Sequence, residues 1–276
     1  MVTTLIKRHK EFIKLVYVRY RKPILAVYQT LHRFGKSRKC YVCGETFGRF
    51  TRYKGGSAFF PEWISMLQMV GSDVDNFGCP YCNSFDRERH LFMYFDNLNL
   101  WLQIKNCNVL HFAPEAHLSK RIEREGPAMY IKADLFPANE SISKEDATDI
   151  SFSDNTFDIV IANHVLEHIP DYEKALREIW RVLKPGGTAI LQTPFSNVLK
   201  NNFEDAGINT PTLRSYFYAQ HDHVRVFGKV QLFRSMKKAG FIFRIAHHND
   251  LFRSEEAYYY GVNAFEDLLR LVKPEK

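Results

Sequence analysis

The chain lacks any run of about eighteen uncharged apolar residues, so a membrane-spanning helix is not among its expected elements. No apolar core followed by a small-residue cleavage site lies near its start, which argues against a secretory leader. Internal repeats and low-complexity tracts are absent, which sets aside solenoids and linker-like chains. Cysteine is scarce, at five of 276 residues, and four of the five form two Cys-x-x-Cys pairs. That arrangement suits metal binding in a reducing, cytoplasmic setting better than a disulfide framework. Acidic residues are nearly missing from residues 1–39, where Glu11 stands alone against eleven Lys and Arg. This segment carries +10 of a chain whose net charge is +7, so the remainder is −3. An enzyme acting on nucleic acid would spread positive charge over its catalytic body, so the distribution argues against a nucleic-acid partner. A basic, acid-poor start also fits an organelle transit peptide, against which stand Glu11 and the long aromatic continuation.

What is present suffices for one large α/β domain with an attachment, since 45% of residues are hydrophobic. Between residues 3 and 34, apolar side chains from Leu5 to Phe34 recur three or four apart among the bases, a helical period that Pro23 should divide in two. Residues 1–39 therefore read as a basic amphipathic arm. Its residues 1–34 are suited to peripheral contact with the inner face of a membrane, or to packing on the body or on a second subunit. Residues 40–102 read as a small module plus a connecting helix from Asp86 to Leu102, and residues 103–276 as the main domain. Cys40, Cys43, Cys79 and Cys82 supply the four thiolates that a tetrahedral structural zinc prefers; free buried thiols and redox use are the alternatives. Cys107 reads as a core residue, and His90 as a packing or capping residue or a replacement zinc ligand.

In the main domain, Val109 to Ala113 is expected as strand one, Glu115 to Glu125 as a helix, and Met129 to Ala133 as strand two. A short third strand is expected near Glu145 to Ala147 and the fourth at Phe157 to Ala162. The helix Asp171 to Leu183 should end at Pro185 and Gly186, before strand five at Thr188 to Thr193. The helix Lys229 to Ala239 and strand six at Phe241 to His247 follow. The tail is either a strand at Asp267 to Val272 or a helix at Phe265 to Leu271. Such alternation demands a largely parallel sheet with helices on both faces, and a ligand crevice at the carboxyl ends of its strands.

The run from Asp146 to Pro170, with Phe157-Asp-Ile-Val-Ile-Ala-Asn-His164 at its centre, and the later Arg181-Val-Leu-Lys-Pro-Gly-Gly187, resembles the central block of class I S-adenosylmethionine-dependent methyltransferases. The resemblance is to type 11-like domains with an N-terminal four-cysteine zinc knuckle, often associated with glycan biosynthesis. It implies a doubly wound, mostly parallel seven-stranded sheet of Rossmann-like type and S-adenosyl-L-methionine as cofactor. The family's glycine-rich turn after strand one falls on His111 to His117, where all three glycines and the preceding acid are missing. There Ala113 permits a fairly close approach, Pro114 suits the first helical position, and Glu115 either takes over contact with the donor's ammonium or complements the helix dipole. Asp134 falls where such folds bind ribose hydroxyls, and Asp146 with Ala147 where they contact adenine, Asp149 being the alternative acid. Asn163 and His164 fall where the family lines the methionine part and the reacting methyl.

On the acceptor side, an insertion from Pro194 to Gly228 ends in His221-Asp-His223-Val-Arg225. His223, oriented by Asp222, is the candidate general base for a hydroxyl acceptor. Arg225 would hold an anionic acceptor or a loop carboxylate, and His168 either borders the acceptor or caps the next helix. A metal site from His221, His223 and Glu167 is a further alternative, as is a purely loop-organising role. The expected function is methyl transfer, by O-methylation, to a small-molecule or lipid-linked glycan acceptor. The rivals are an RNA methyltransferase with a zinc module and a non-catalytic scaffold, the second motivated by the missing glycines.

Overall fold

The computed structural model describes residues 23–275. At its centre is a seven-stranded sheet, whose strands, numbered within it in chain order, are β1 Asn108–Phe112, β2 Met129–Asp134, β3 Ser143–Lys144, β4 Phe157–Ala162, β5 Leu183–Ile190, β6 Ile242–Phe243 and β7 Arg270–Val272. They lie in the order β6-β7-β5-β4-β1-β2-β3. Only β7 runs against its neighbours, pairing antiparallel with both β5 and β6. The order reverses between β1 and β4, so the loops leaving these two strands part and open a crevice at their carboxyl ends.

The pleat explains why β1 and β4 are apolar on both faces apart from Asn108, His111 and Asp158. Leu110, Phe112, Val160 and Ala162 pack on one face, with the helices Tyr172–Val182 and Lys229–Lys238. Val109 and Ile161 pack on the other with Leu118, Ile122, Leu91, Tyr94 and Phe95. Parallel strands covered on both faces favour hydrophobic residues on both, and a polar one such as His111 needs a buried partner. The second face is partly covered by Asp86–Asn97 and Leu100–Ile104, separated at Asn99 by a left-handed residue. The single connecting helix expected over this stretch is thus two, and both belong to the main core.

Other boundaries differ for local reasons. The third strand ends before Glu145, because the Asp146 side chain accepts hydrogen bonds from the Thr148 backbone nitrogen and hydroxyl and bends the chain into a turn. The helix Tyr172–Val182 stops before Pro185, and β5 takes in Lys184 to Gly187 across a register shift opposite Phe157 and Ile159. Strand six shortens to two residues, and the tail is strand rather than helix. Pro114 lies outside the helix Ala116–Arg124, whose N-cap is Glu115.

Helical backbone spans residues 23–33; one side meets the cysteine module through Arg33 and Gln29, whereas Ile24, Val27, Leu31 and Phe34 are exposed. The expected helical pattern over residues 3–22 lies outside the described residues. Among the described residues, no helix is long and apolar enough to cross a membrane.

The two cysteine pairs build matching turns. Cys40 N bonds to Glu45 O and Gly44 N to Cys40 O; Cys79 N bonds to Ser84 O and Asn83 N to Cys79 O. Gly44 and Asn83 fill the same left-handed position, with φ of 77° and 62°. The module is joined to the main domain by Met69–Val70, which pairs antiparallel with Phe195–Ser196. Arg89 joins them again: fully buried, it donates to the carbonyls of Asn76, Phe77 and Ser84 on one side and Tyr260 and Gly261 on the other.

Candidate functional site

At the end of β1 the chain turns through Ala113, with φ of 47°, and at the end of β4 through His164, with φ of 56°. Left-handed backbone in residues other than glycine is uncommon and collects at functional sites. The two turns are tied by Glu115, one of whose oxygens receives His111 Nε2 at 3.0 Å and the other Asn163 Nδ2 at 2.7 Å. Burial alone would favour the neutral carboxyl, but the His111 hydrogen bond outweighs it and holds Glu115 below the usual range. Glu115 thus fixes the turn that glycines usually form, and a ligand's ammonium would have to share an already engaged carboxylate. Helix capping falls instead to Glu88, which accepts from the backbone nitrogens of His117 and Leu118 at 2.9 and 3.0 Å.

Asp134 ends β2 half-buried, one oxygen accepting from Phe136 N. Asp146 is exposed beside the buried Ala147, and Asn163 is buried with its Oδ1 unpartnered. Ala113, Asp134, Asp146 and Asn163 thus belong to the loops and strand ends at the carboxyl edge of adjacent strands.

Next to this edge lies a cavity of about 560 Å³. The module contributes Tyr53, Phe60, Ile64, Val74 and Phe77, the β4 loop His164, Glu167 and His168, and the insertion Tyr218, His223 and Val226. Glu167 is buried at its wall: one oxygen accepts from Thr193 Oγ1 at 2.7 Å, and the other lies 4.0 Å from Nε2 of both His168 and His223. The sequence offered Asp222 as orienter of His223. Instead the chain turns at residues 221–222, Asp222 meets His168 at 3.5 Å, and His223 Nδ1 lies 3.2 Å from the Tyr218 carbonyl. His221 is exposed and absent from the cluster. His168 does not cap the next helix, because Asp171 does so through Lys174 N. Arg225 is spent on Glu204 and on the carbonyls of Ile169 and Pro170. It therefore serves the loop carboxylate and not an anionic ligand.

Behind the cavity runs a buried series that sequence reasoning missed, because its members lie far apart in the chain. His164 contacts Glu167 at 3.5 Å and Glu266 at 3.2 Å; Glu266 faces His90 at 3.6 Å, and His90 Nε2 lies 2.9 Å from His248 Nδ1. Burial disfavours a charged His164, yet its pairing with the carboxylates of Glu167 and Glu266 prevails and raises its pKa to about 9. The same pairing, against burial, holds Glu167 well below the carboxylate range and Glu266 at about 2. Burial lowers His223 to about 4.

Burial, and then the neighbouring His90, lowers His248 from 6.5 to about 4. A depressed folded-state pKa gives a contribution complete above pH 6.5 and lost as the pH falls toward 4. The thermal midpoint is therefore expected to drop between pH 7.5 and pH 5, and the drop should be smaller in His248→Asn. An equal drop in the variant would remove His248 from the cause.

The four cysteine sulfurs gather within 4.8 Å of one another, Cys40 to Cys82 at 3.7 Å and Cys43 to Cys79 at 3.8 Å. His90 lies elsewhere, on the buried series, and is not one of this group.

Comparison with known proteins agrees with this geometry. Residues 107–191, from β1 through β5, match the family described as methyltransferase domain. A demethylmenaquinone methyltransferase of Listeria monocytogenes serotype 4a is 36% identical over 91 residues, which are 31% of this chain and 38% of that one. The Staphylococcus carnosus protein of the same name is 44% identical over 70 residues, 24% of this chain and 29% of that one. The match thus spans less than two fifths of these relatives. The solved structure of an S-adenosylmethionine dependent methyltransferase from Mesorhizobium loti covers 65% of this chain and 97% of its own, at 13% identity and a TM-score of 0.46. Residues 107–191 are thus similar to a methyltransferase domain, and this segment lies where the sheet opens its crevice.

Proposed function

We propose that the protein is an S-adenosylmethionine-dependent methyltransferase that modifies a hydroxyl on a small acceptor with an apolar body. The observation that carries this reading is the meeting of two half-sites at Asn163 and His164: the strand-end crevice on one side and the cavity on the other. The residues of the crevice fit the donor. Asn163 has a buried, unpartnered oxygen, Ala113 lends a small side chain to the β1 turn, and Asp134 stands where a ribose would present its hydroxyls. Asp146 and Ala147 would meet the adenine edge, with Pro114 and Glu115 shaping the turn for the amino-acid end. When bound, this donor supplies a methyl group already activated by a positive sulfur. The protein then has to align the acceptor, exclude water and receive a proton.

The cavity is suited to these tasks. Its apolar lining from Phe60, Ile64, Met69, Val70 and Val74 displaces water, and Glu167, His168 and His223 provide the polar end for the hydroxyl. A neutral imidazole whose Nδ1 is anchored, as in His223, presents Nε2 as a proton acceptor. The lining favours an acceptor with a lipid or ring portion, such as a lipid-linked glycan, over a bare sugar.

For the cysteine module we propose a structural zinc. Four sulfurs bonded at about 2.3 Å in a tetrahedron lie about 3.8 Å apart, which matches the spacings found here. Such a closed site leaves no position for chemistry.

Calorimetric titration with S-adenosylhomocysteine tests the main reading. The wild type should bind, and Asp134→Ala should weaken binding about ten- to a hundredfold, the loss expected for a hydrogen bond to a charged group. No binding by the wild type would overturn it.

A further inference from the structure

We propose that Glu167, His168 and His223 form a second metal site, which binds a divalent transition-metal ion on the wall of the cavity. Their donor atoms lie within 4.8 Å of one another, and Glu167 Oε1 is 4.0 Å from each Nε2. An ion at the centre of a triangle with those sides lies at most about 2.5 Å from each corner, a few tenths of an ångström beyond ordinary zinc–nitrogen and zinc–oxygen bonds. A small inward movement closes the shell. At 4.0 Å the three groups are too far apart to hydrogen-bond one another, and Glu167 Oε1 is buried without a hydrogen-bond partner, its other neighbour being His164 Nδ1 at 3.5 Å.

The surroundings favour ligation. Imidazole ligands characteristically donate their second ring nitrogen to a carboxylate or a backbone carbonyl, which sets the tautomer and the ring direction. His168 Nδ1 lies 3.5 Å from an Asp222 carboxylate oxygen and 3.4 Å from its carbonyl, and His223 Nδ1 lies 3.2 Å from the Tyr218 carbonyl. The remaining Glu167 oxygen is fixed by Thr193 Oγ1. Both Nε2 atoms are thereby aimed at one carboxylate oxygen, giving two imidazoles and one carboxylate, a set that accommodates zinc, iron, cobalt or manganese with positions to spare. All three residues line the cavity, so the spare positions open onto it. Resting on the acceptor reading above, the hydroxyl oxygen is the ligand that completes the shell. With the ion bound, His223 Nε2 is a ligand and no longer the proton acceptor of the metal-free site, and the hydroxyl proton passes to bulk solvent as the oxygen binds.

Protein carrying a single equivalent of zinc, which the four-thiolate cluster takes first, is titrated with cobalt(II) chloride to test the site. The wild type should take up about one further equivalent, with visible absorption that lacks the intense thiolate-to-cobalt bands, while His168→Gln/His223→Gln takes up none. Uptake confined to thiolate sites, or a second equivalent that persists in the folded double variant, would overturn the proposal. The wild-type spectrum decides even if the variant does not fold. Calorimetry with S-adenosylhomocysteine on the same samples separates the two readings: cobalt uptake without donor binding leaves the metal site standing and removes the methyltransferase, and the converse removes the metal site alone.

Discussion

Replacing Arg89 with methionine is expected to lower stability by about 3–5 kcal/mol, the cost of leaving buried polar partners uncompensated. Every donor direction of this guanidinium is used, on five carbonyls belonging to three separate stretches of chain. Three of those carbonyls flank the second cysteine pair and two belong to the turn after Ser254–Tyr260. Removing the fork strands acceptors that water cannot reach without separating the module from the body. Lysine keeps the charge but can make at most three bonds and lacks the planar geometry, so Arg89→Lys should fall between the two. Urea unfolding of the three proteins checks the order, and an Arg89→Met midpoint within error of the wild type would refute it.

Stripping the cysteine cluster should have a larger effect still. Structural zinc contributes an apparent binding free energy of about 10–16 kcal/mol in small modules, so a strong chelator or Cys79→Ser should release zinc and loosen residues 40–85 together. Because this stretch supplies the Tyr53 to Phe77 wall of the cavity, methyl transfer should be lost. Affinity for S-adenosylhomocysteine should change little, since the crevice is built from residues beyond Asn108. Zinc content, limited proteolysis and calorimetry together check this. Proteolytic resistance retained after zinc loss would mean that the aromatic packing of Phe47 on Phe50 holds the module by itself.

The parts of the fold legible from the sequence are those governed by short-range rules. Short, mainly apolar runs marked β1 and β4, because both faces of these strands are covered, and the paired cysteines marked their own cluster. Asp134 closes β2 and Asn163 directly follows β4, so both fall at strand ends that the pattern marks. Legibility failed where a side chain redirected the backbone, as Asp146 does beyond β3, or where partners come from distant stretches. Nothing local announces that Glu88 caps a helix thirty residues away, that Glu266 faces His164, or that His168 takes Asp222 from His223. Glu88, Arg89 and His90 sit in the charged run that opens Asp86–Asn97, a pattern that by itself reads as a solvent-facing helix start.

The cavity is assembled from chain on both sides of the matched segment. Residues 107–191 contribute His164, Glu167 and His168, while the opposite walls come from residues 53–87 and 218–226. On the proposed reading, the residues of the donor half lie within the matched segment, and most of those of the acceptor half lie outside it. Substitutions in the module or the insertion can change which molecule is accepted while every residue aligned with the relatives stays the same. On that reading, most of the wall that meets the acceptor lies outside residues 107–191, which supply its polar end through His164, Glu167 and His168.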